Sequence, residues 1–412
     1  MGTRNTMISH RRLVCWAVLL FSILLLTGVV FKNHVFAQGD DTSSADNSAT
    51  GAGVAEGSFF EDPVDQNQKK NDAQIGAILR EGVFNPPAKQ NFFDDYYTTY
   101  ALARWTQVSS LGNLSKFRKE LFNNLRQTKG AQVYNHLNDL VLKFMEERAK
   151  SDKYHPAVRY NAMLTIGDLN SAPGMQPPPL EAALPVLLST VNDNKQIEPV
   201  KIAALIGINR HVSPPAGVSD PQVQNQVLAA MLKIVAGSDS AETSDPGRQW
   251  MRKQATEILG SLGSLGNNNQ VVQVLNGIVA DGKALLSVRT AAAKALGQLK
   301  YGSPTAIKSV DLGKTLCQLM LDACTEELNA VRTDRPVSRR RLKSVLGPVT
   351  EGMNAVKSLA KEQAQQTYFN NLQSVLDDLL KDLDNAKLEN QDLQKSVQNC
   401  QTRLRIWLEK NP

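Results

Sequence analysis

Histidine, cysteine and aromatic residues are scarce in this chain, and each scarcity closes off a class of chemistry. Beyond residue 37 only His136, His155 and His211 occur, with no H-E-x-x-H pair, and C-x-x-C and C-x-x-C-H are both missing. The zinc, dithiol and covalent-haem signatures are therefore absent. Gly260, Gly263 and Gly266 are spaced by threes and form neither a phosphate loop nor a dinucleotide fingerprint, and no G-x-S-x-G elbow is found. Adjacent acids such as Asp94-Asp95 and Asp377-Asp378 point to different sides of a helix and make no acid–base couple. No catalytic, metal-ligating or cofactor-binding set is expected, and the chain reads as non-enzymatic.

A strong surplus of either charge is missing too. The net charge is +6, but Arg4, Arg11, Arg12 and Lys32 lie in the first 37 residues, which hold no acid, so the remainder carries only +2. A nucleic-acid partner is not indicated. Cys15 belongs to the N-terminal apolar run, leaving Cys317, Cys324 and Cys400. Cys317 and Cys324 are seven residues apart on an expected helix, roughly 10 Å, which exceeds the roughly 7 Å a disulfide spans. Any bridge would have to use Cys400, with either of the other two.

Alternating β-branched runs between turn signals are almost absent, whereas Leu, Ala, Gln, Lys and Glu dominate from residue 73 onward. An all-α chain is expected. Before it, Arg11 and Arg12 precede 19 mostly apolar residues, Leu13 to Phe31, and Val35-Phe36-Ala37 supplies small residues of the kind a signal peptidase reads. Residues 1–37 read as an export signal cleaved near Ala37, giving a periplasmic or secreted protein. Alternatively they form an uncleaved signal anchor, giving a single-pass inner-membrane protein with its C-terminus outside. Residues 38–72 are rich in acids and small polar residues and read as a disordered linker.

What the sequence does contain is repetition. Val158-Arg159-x-x-Ala162-x-x-x-Ile166-Gly167-x-Leu169 matches Val288-Arg289-x-x-Ala292-x-x-x-Leu296-Gly297-x-Leu299 and Met251-Arg252-x-x-Ala255-x-x-x-Leu259-Gly260-x-Leu262. A looser copy has Val200-Lys201-x-x-Ala204 with Ile208, and Asn209 in place of the glycine. The apolar positions share one helix face, the central alanine allows close approach of a partner helix, and the glycine suits a left-handed helix C-cap. Partner helices are expected at about 131–149, 179–191, 221–236 and 268–280. Asp152, Asp193, Asp245 and Asp281 stand seven or eight residues before the basic positions, where an acid can cap a helix.

These repeats resemble the HEAT-repeat family over roughly residues 130–301. The resemblance implies a right-handed α-solenoid of about four helix pairs, in which a basic residue of each second helix bonds to an acid in the turn of a neighbouring unit. Arg159, Lys201, Arg252 and Arg289 would then form the basic side of a ladder, and Asp152, Asp193, Asp245 and Asp281 the acidic side. Some HEAT-like proteins resemble bilin lyases or DNA-repair glycosylases, which leaves a HEAT-like enzyme as a lesser alternative.

Both ends of such a stack need covers. Residues 73–129 read as an N-terminal helical cap, in which Phe92, Phe93, Tyr96, Tyr97 and Tyr100 recur at helical spacing, either as core or around a ligand. Residues 302–412 read as long helices at about 304–331, 337–363 and 366–409. The last carries a stripe of Leu372, Val375, Leu379, Leu383, Ala386, Leu393, Val397, Cys400, Leu404 and Trp407, which either folds back or forms a coiled coil with a second copy. Arg332, Arg335, Arg339, Arg340, Arg341 and Lys343 make the densest basic cluster outside the export segment, a candidate patch for an anionic partner or a solvated helix start. The functional expectation is an exported scaffold that binds a protein or envelope polymer, or else a structural protein that self-assembles through its C-terminal helix.

Overall fold

The computed structural model describes residues 58–174, 177–237, 245–302, 307–333 and 335–411. The export signal or anchor expected over residues 1–37, and the part of the expected linker up to residue 57, lie outside the described residues. Among those described there are fifteen α-helices and no strand, and no helix is long and apolar enough to cross a membrane.

Four pairs follow the repeat. They are α4 (Ala131–Lys150) with α5 (Pro156–Asp168), α6 (Ala183–Asn192) with α7 (Glu198–Val212), α8 (Pro221–Ala236) with α9 (Pro246–Leu262), and α10 (Gln270–Ala280) with α11 (Leu286–Gln298). Local chemistry starts several of these helices. Asp220 and Asp245 accept from the backbone N–H groups of Gln222 and Gly247, each at 2.8 Å, just before a proline at the first helical position. Within each pair the helices pack on each other. Successive pairs meet chiefly through their second helices, α5 on α7, α7 on α9 and α9 on α11.

The stack does not stop at four pairs. Helix α12 (Ser309–Val331) packs on α10, and α13 (Arg339–Ser358) packs on α11, so together they make a fifth. The long helix expected over 366–409 is two helices, α14 (Gln363–Asp384) and α15 (Asn390–Lys410). Between them the Asn385 side chain accepts from the Lys387 N–H at 3.1 Å and holds a turn. Helix α14 packs on α13, and α15 on both α12 and α14, so α12–α15 close the end of the stack as a four-helix bundle. The apolar stripe is thus covered within the chain: Leu372, Leu379, Leu383, Leu393, Val397 and Leu404 are all buried. Cys317, Cys324 and Cys400 are buried free thiols in this bundle, and a hydrogen bond to Cys400, together with burial, pushes the Cys324 thiol pKa up.

The repeat glycines do not act as C-caps. Gly167, Gly260 and Gly297 are helical and lie where second helices touch. A Cβ added at Gly167 would stand 2.8 Å from the Gly207 Cα, and one at Gly207 would stand 2.9 Å from the Gly167 Cα. At Gly260 an added Cβ would reach the Ala295 Cα at 2.8 Å, and at Gly297 the Glu351 backbone carbon at 2.7 Å. The degenerate copy, which has Asn209 at the motif position, therefore supplies its glycine two residues earlier. Gly263, with φ 67°, is the residue that ends α9 in the left-handed conformation.

Residues 58–72, expected within a disordered linker, belong to the same compact unit as the helical stack. Phe59 and Phe60 set their rings edge-on to His155 and Tyr154. Asp62 is buried, accepting from Arg148 Nε at 3.0 Å and the Tyr154 hydroxyl at 2.9 Å, while its N–H donates to Thr106 Oγ1. Composition treats this acid as solvated, but its partners come from residues more than forty positions away. Gln66–Asn71 then forms a 3-10 turn that leads into α1 (Asp72–Glu81).

Candidate functional site

The expected ladder forms in part. Arg252 on α9 meets Asp281, in the turn between α10 and α11, at 3.5 Å, which is the basic-helix-to-next-turn pairing. At the two outer rungs the partner differs. Arg159 Nη2 donates to Gln196 in the next turn, not to Asp193, and Arg289 Nη2 meets Asp322 of α12 at 2.7 Å. Both arginines also use Nε to bond a carbonyl of their own first helix, Ala149 at 3.3 Å and Val279 at 2.8 Å. A guanidinium can serve two helices at once in this way. Lys201 makes no ion pair among the described residues. Burial, with Lys233 and Arg248 nearby, pushes its pKa down against the pull of Asp193.

The acidic positions serve mostly their own turns. Asp193 and Asp281 accept from the N–H two residues on, at 2.9 and 3.0 Å, and Asp245 caps α9. Asp152 caps nothing, because His155 takes that role for α5 by accepting from the Ala157 N–H at 3.1 Å.

Half of the basic cluster is committed inside the chain. Arg341 holds the buried Glu327 carboxylate at 2.7 and 3.1 Å. Arg339 donates to the carbonyls of Asp382 and Leu383 at the end of α14 and of Leu388 beyond it, and Lys343 meets Asp384 at 2.5 Å. Arg332, Arg335 and Arg340 make no ion pair among the described residues, so the cluster is a bundle clamp with three exposed cations beside it.

A recess of about 570 Å³ lies in the N-terminal cap. This cap consists of α1, α2 (Ala88–Tyr96) and α3 (Leu114–Gln127), with α2 running on into a π-turn over Tyr97–Ala101 and a 3-10 turn over Ala103–Thr106. The recess opens between α1 and α3 over the π-turn. Tyr96, Tyr97, Tyr100 and Trp105 are buried around it, so the aromatic spacing seen in sequence builds core and pocket wall together. The Tyr96 hydroxyl donates to Asp72 at 2.7 Å, and Asn124 donates to the Tyr97 hydroxyl at 3.0 Å. Burial pushes both phenol pKa values up, so they remain neutral hydroxyls. Arg104 bonds Ala101 O at 3.2 Å and Glu120 at 2.5 Å, and its guanidinium lies 4.3 Å from the centre of the Phe117 ring. Sequence reasoning found the aromatics but missed the charged wall, whose members come from α1, α3 and the turns and share no spacing.

The three described histidines are placed apart. His136 contacts Asp94 at 2.5 Å, His155 is a helix cap, and His211 is buried at the end of α7. Among the described residues no group of three His, Cys, Asp or Glu side chains could hold a metal ion. Compared with protein-family models, curated protein sequences and solved structures, the chain matches none.

Proposed function

We propose that the protein is an exported, non-catalytic scaffold of the cell envelope, a HEAT-like solenoid that presents its helix faces to a protein or polymer partner. The observation that supports this reading is a stack of five helix pairs closed at both ends by its own chain, through an aromatic-rich cap and a four-helix bundle. A sealed stack needs no second copy to cover its ends, which leaves its long faces available for recognition. Arg159, Arg252 and Arg289 are spent on holding neighbouring units together, and Arg339, Arg341 and Lys343 on clamping the end bundle, as a scaffold requires. The apolar N-terminal segment gives the export half of the reading.

Protease accessibility in spheroplasts of the native cell, combined with photo-crosslinking from the exposed apolar positions Ile206 and Leu285, tests it. Digestion from outside and a discrete adduct with another molecule are expected. A protected, cytoplasmic protein that yields no adduct from either position would overturn the proposal. An adduct of two copies of this chain would favour self-assembly instead.

A further inference from the structure

The recess in the N-terminal cap differs from a packing defect in three respects. First, its floor is a π-turn, in which the Leu102 N–H donates to the Tyr97 carbonyl at 2.9 Å, five residues back. Such an insertion widens a helix and recurs at functional sites. Second, Gly76 sits inside α1, where glycine weakens a helix. A Cβ there would stand 3.3 Å from an Arg80 guanidinium nitrogen, so the glycine leaves room for that guanidinium to lie back along α1 beside the recess. Third, the charges are unbalanced. Both carboxylates of the wall are engaged, Asp72 by Tyr96 and Glu120 by Arg104. The cations Lys69, Arg80 and Lys116 have no carboxylate within ion-pair distance among the described residues.

We propose that this recess binds a compact, hydroxylated organic anion, a carboxylate or phosphate on a scaffold of mono- to disaccharide size. Its volume falls within the range of small-molecule sites, roughly 300–1,000 Å³. Lys69, Arg80 and Lys116 draw the anion in. Arg104, held by a carbonyl, a carboxylate and two aromatic rings, presents a fixed donor fork that loses little freedom on binding. The hydroxyl of Tyr97 and the amide of Asn124 face the ligand's hydroxyl groups.

The purified protein is titrated with glucuronate, glucose 6-phosphate, glucose and inorganic phosphate, followed by calorimetry and by the fluorescence of Trp105 in the recess wall. Saturable binding of at least one charged sugar is expected, with glucose much weaker. The double substitution Arg80→Gln, Lys116→Gln, at two exposed side chains, should weaken it roughly tenfold or more at an unchanged melting temperature. Lys395→Gln, on the distant α15, should leave it unaltered. The proposal is overturned by the absence of saturation with either charged sugar, by equal affinity for glucose, or by full affinity in the double variant. It is also overturned if inorganic phosphate binds as tightly as glucose 6-phosphate, which would mark a non-selective anion site.

Discussion

At the scale of single residues, the contacts that set the distance between pairs are made by the smallest side chain. Gly167 and Gly207 face each other across the α5–α7 seam, and backbone atoms stand where a Cβ would go. Backbone moves less readily than a side-chain tip, so Gly167→Ala should destabilise by about 1–3 kcal/mol, the usual cost of overpacking. Urea denaturation measures it, and an unchanged midpoint would show that the seam can widen freely. His211 adds a pH dependence. Burial and the adjacent Arg210 lower its pKa from 6.5 to about 4, so between these values the unfolded chain binds a proton that the folded chain refuses. Stability from this group is full above pH 6.5 and declines as pH falls toward 4, by about 3 kcal/mol in all. His211→Gln should remove that part of the slope of stability against pH between 6.5 and 4.

At the scale of helices, the repeat register is what sequence exposes best. The helix expected at 221–236 is α8 to the residue, because an Asp-Pro start and a glycine after the last turn mark both ends. The break between α14 and α15 was hidden for the opposite reason. No Gly or Pro interrupts 385–389, and the apolar stripe keeps its spacing through Leu383, Ala386 and Leu393 as if one helix continued. Only Asn385 signals the turn, and its role depends on a side-chain bond that periodicity does not encode. The same limit applies in the cap: the aromatic spacing was legible, whereas Lys69, Arg80, Arg104 and Lys116 converge only once α1, α3 and the π-turn are folded together. Register itself is testable. Ala292 is fully buried in α11 and Lys294 only partly, so Ala292→Glu should cost about 3 kcal/mol or more while Lys294→Glu stays within about 0.5 kcal/mol. Equal melting temperatures would refute the assignment of faces.

At the scale of the molecule, the two ends of the array are finished differently. The first pair is covered by a cap whose strap, residues 58–65, is fastened by Asp62 to Arg148 and Tyr154. The last is covered by helices that reverse direction twice and are clamped by Arg339, Arg341 and the buried Glu327. With both faces occupied, residues 58–412 should sediment as a monomer at micromolar concentration. Removing residues 385–412 should produce concentration-dependent association, because α12 and α14 then lose the cover that α15 gives to Cys317, Cys324 and Tyr368. A monomeric truncated chain would show that α15 is dispensable for closure.

The glycine seam also bears on how this sequence can drift. Where a Cβ would meet backbone, as between Gly167 and Gly207 or between Gly352 and the carbonyl of Ala293, an enlarged residue on one side cannot be rescued by trimming the other, since the atoms it would strike are main chain. The rungs beside the seam are looser: Gln196 already stands where an acid was expected, and Asp322 serves Arg289 from a different element. Descendants of this chain can therefore exchange rung partners, while the seam binds them to a vocabulary of one or two small residues.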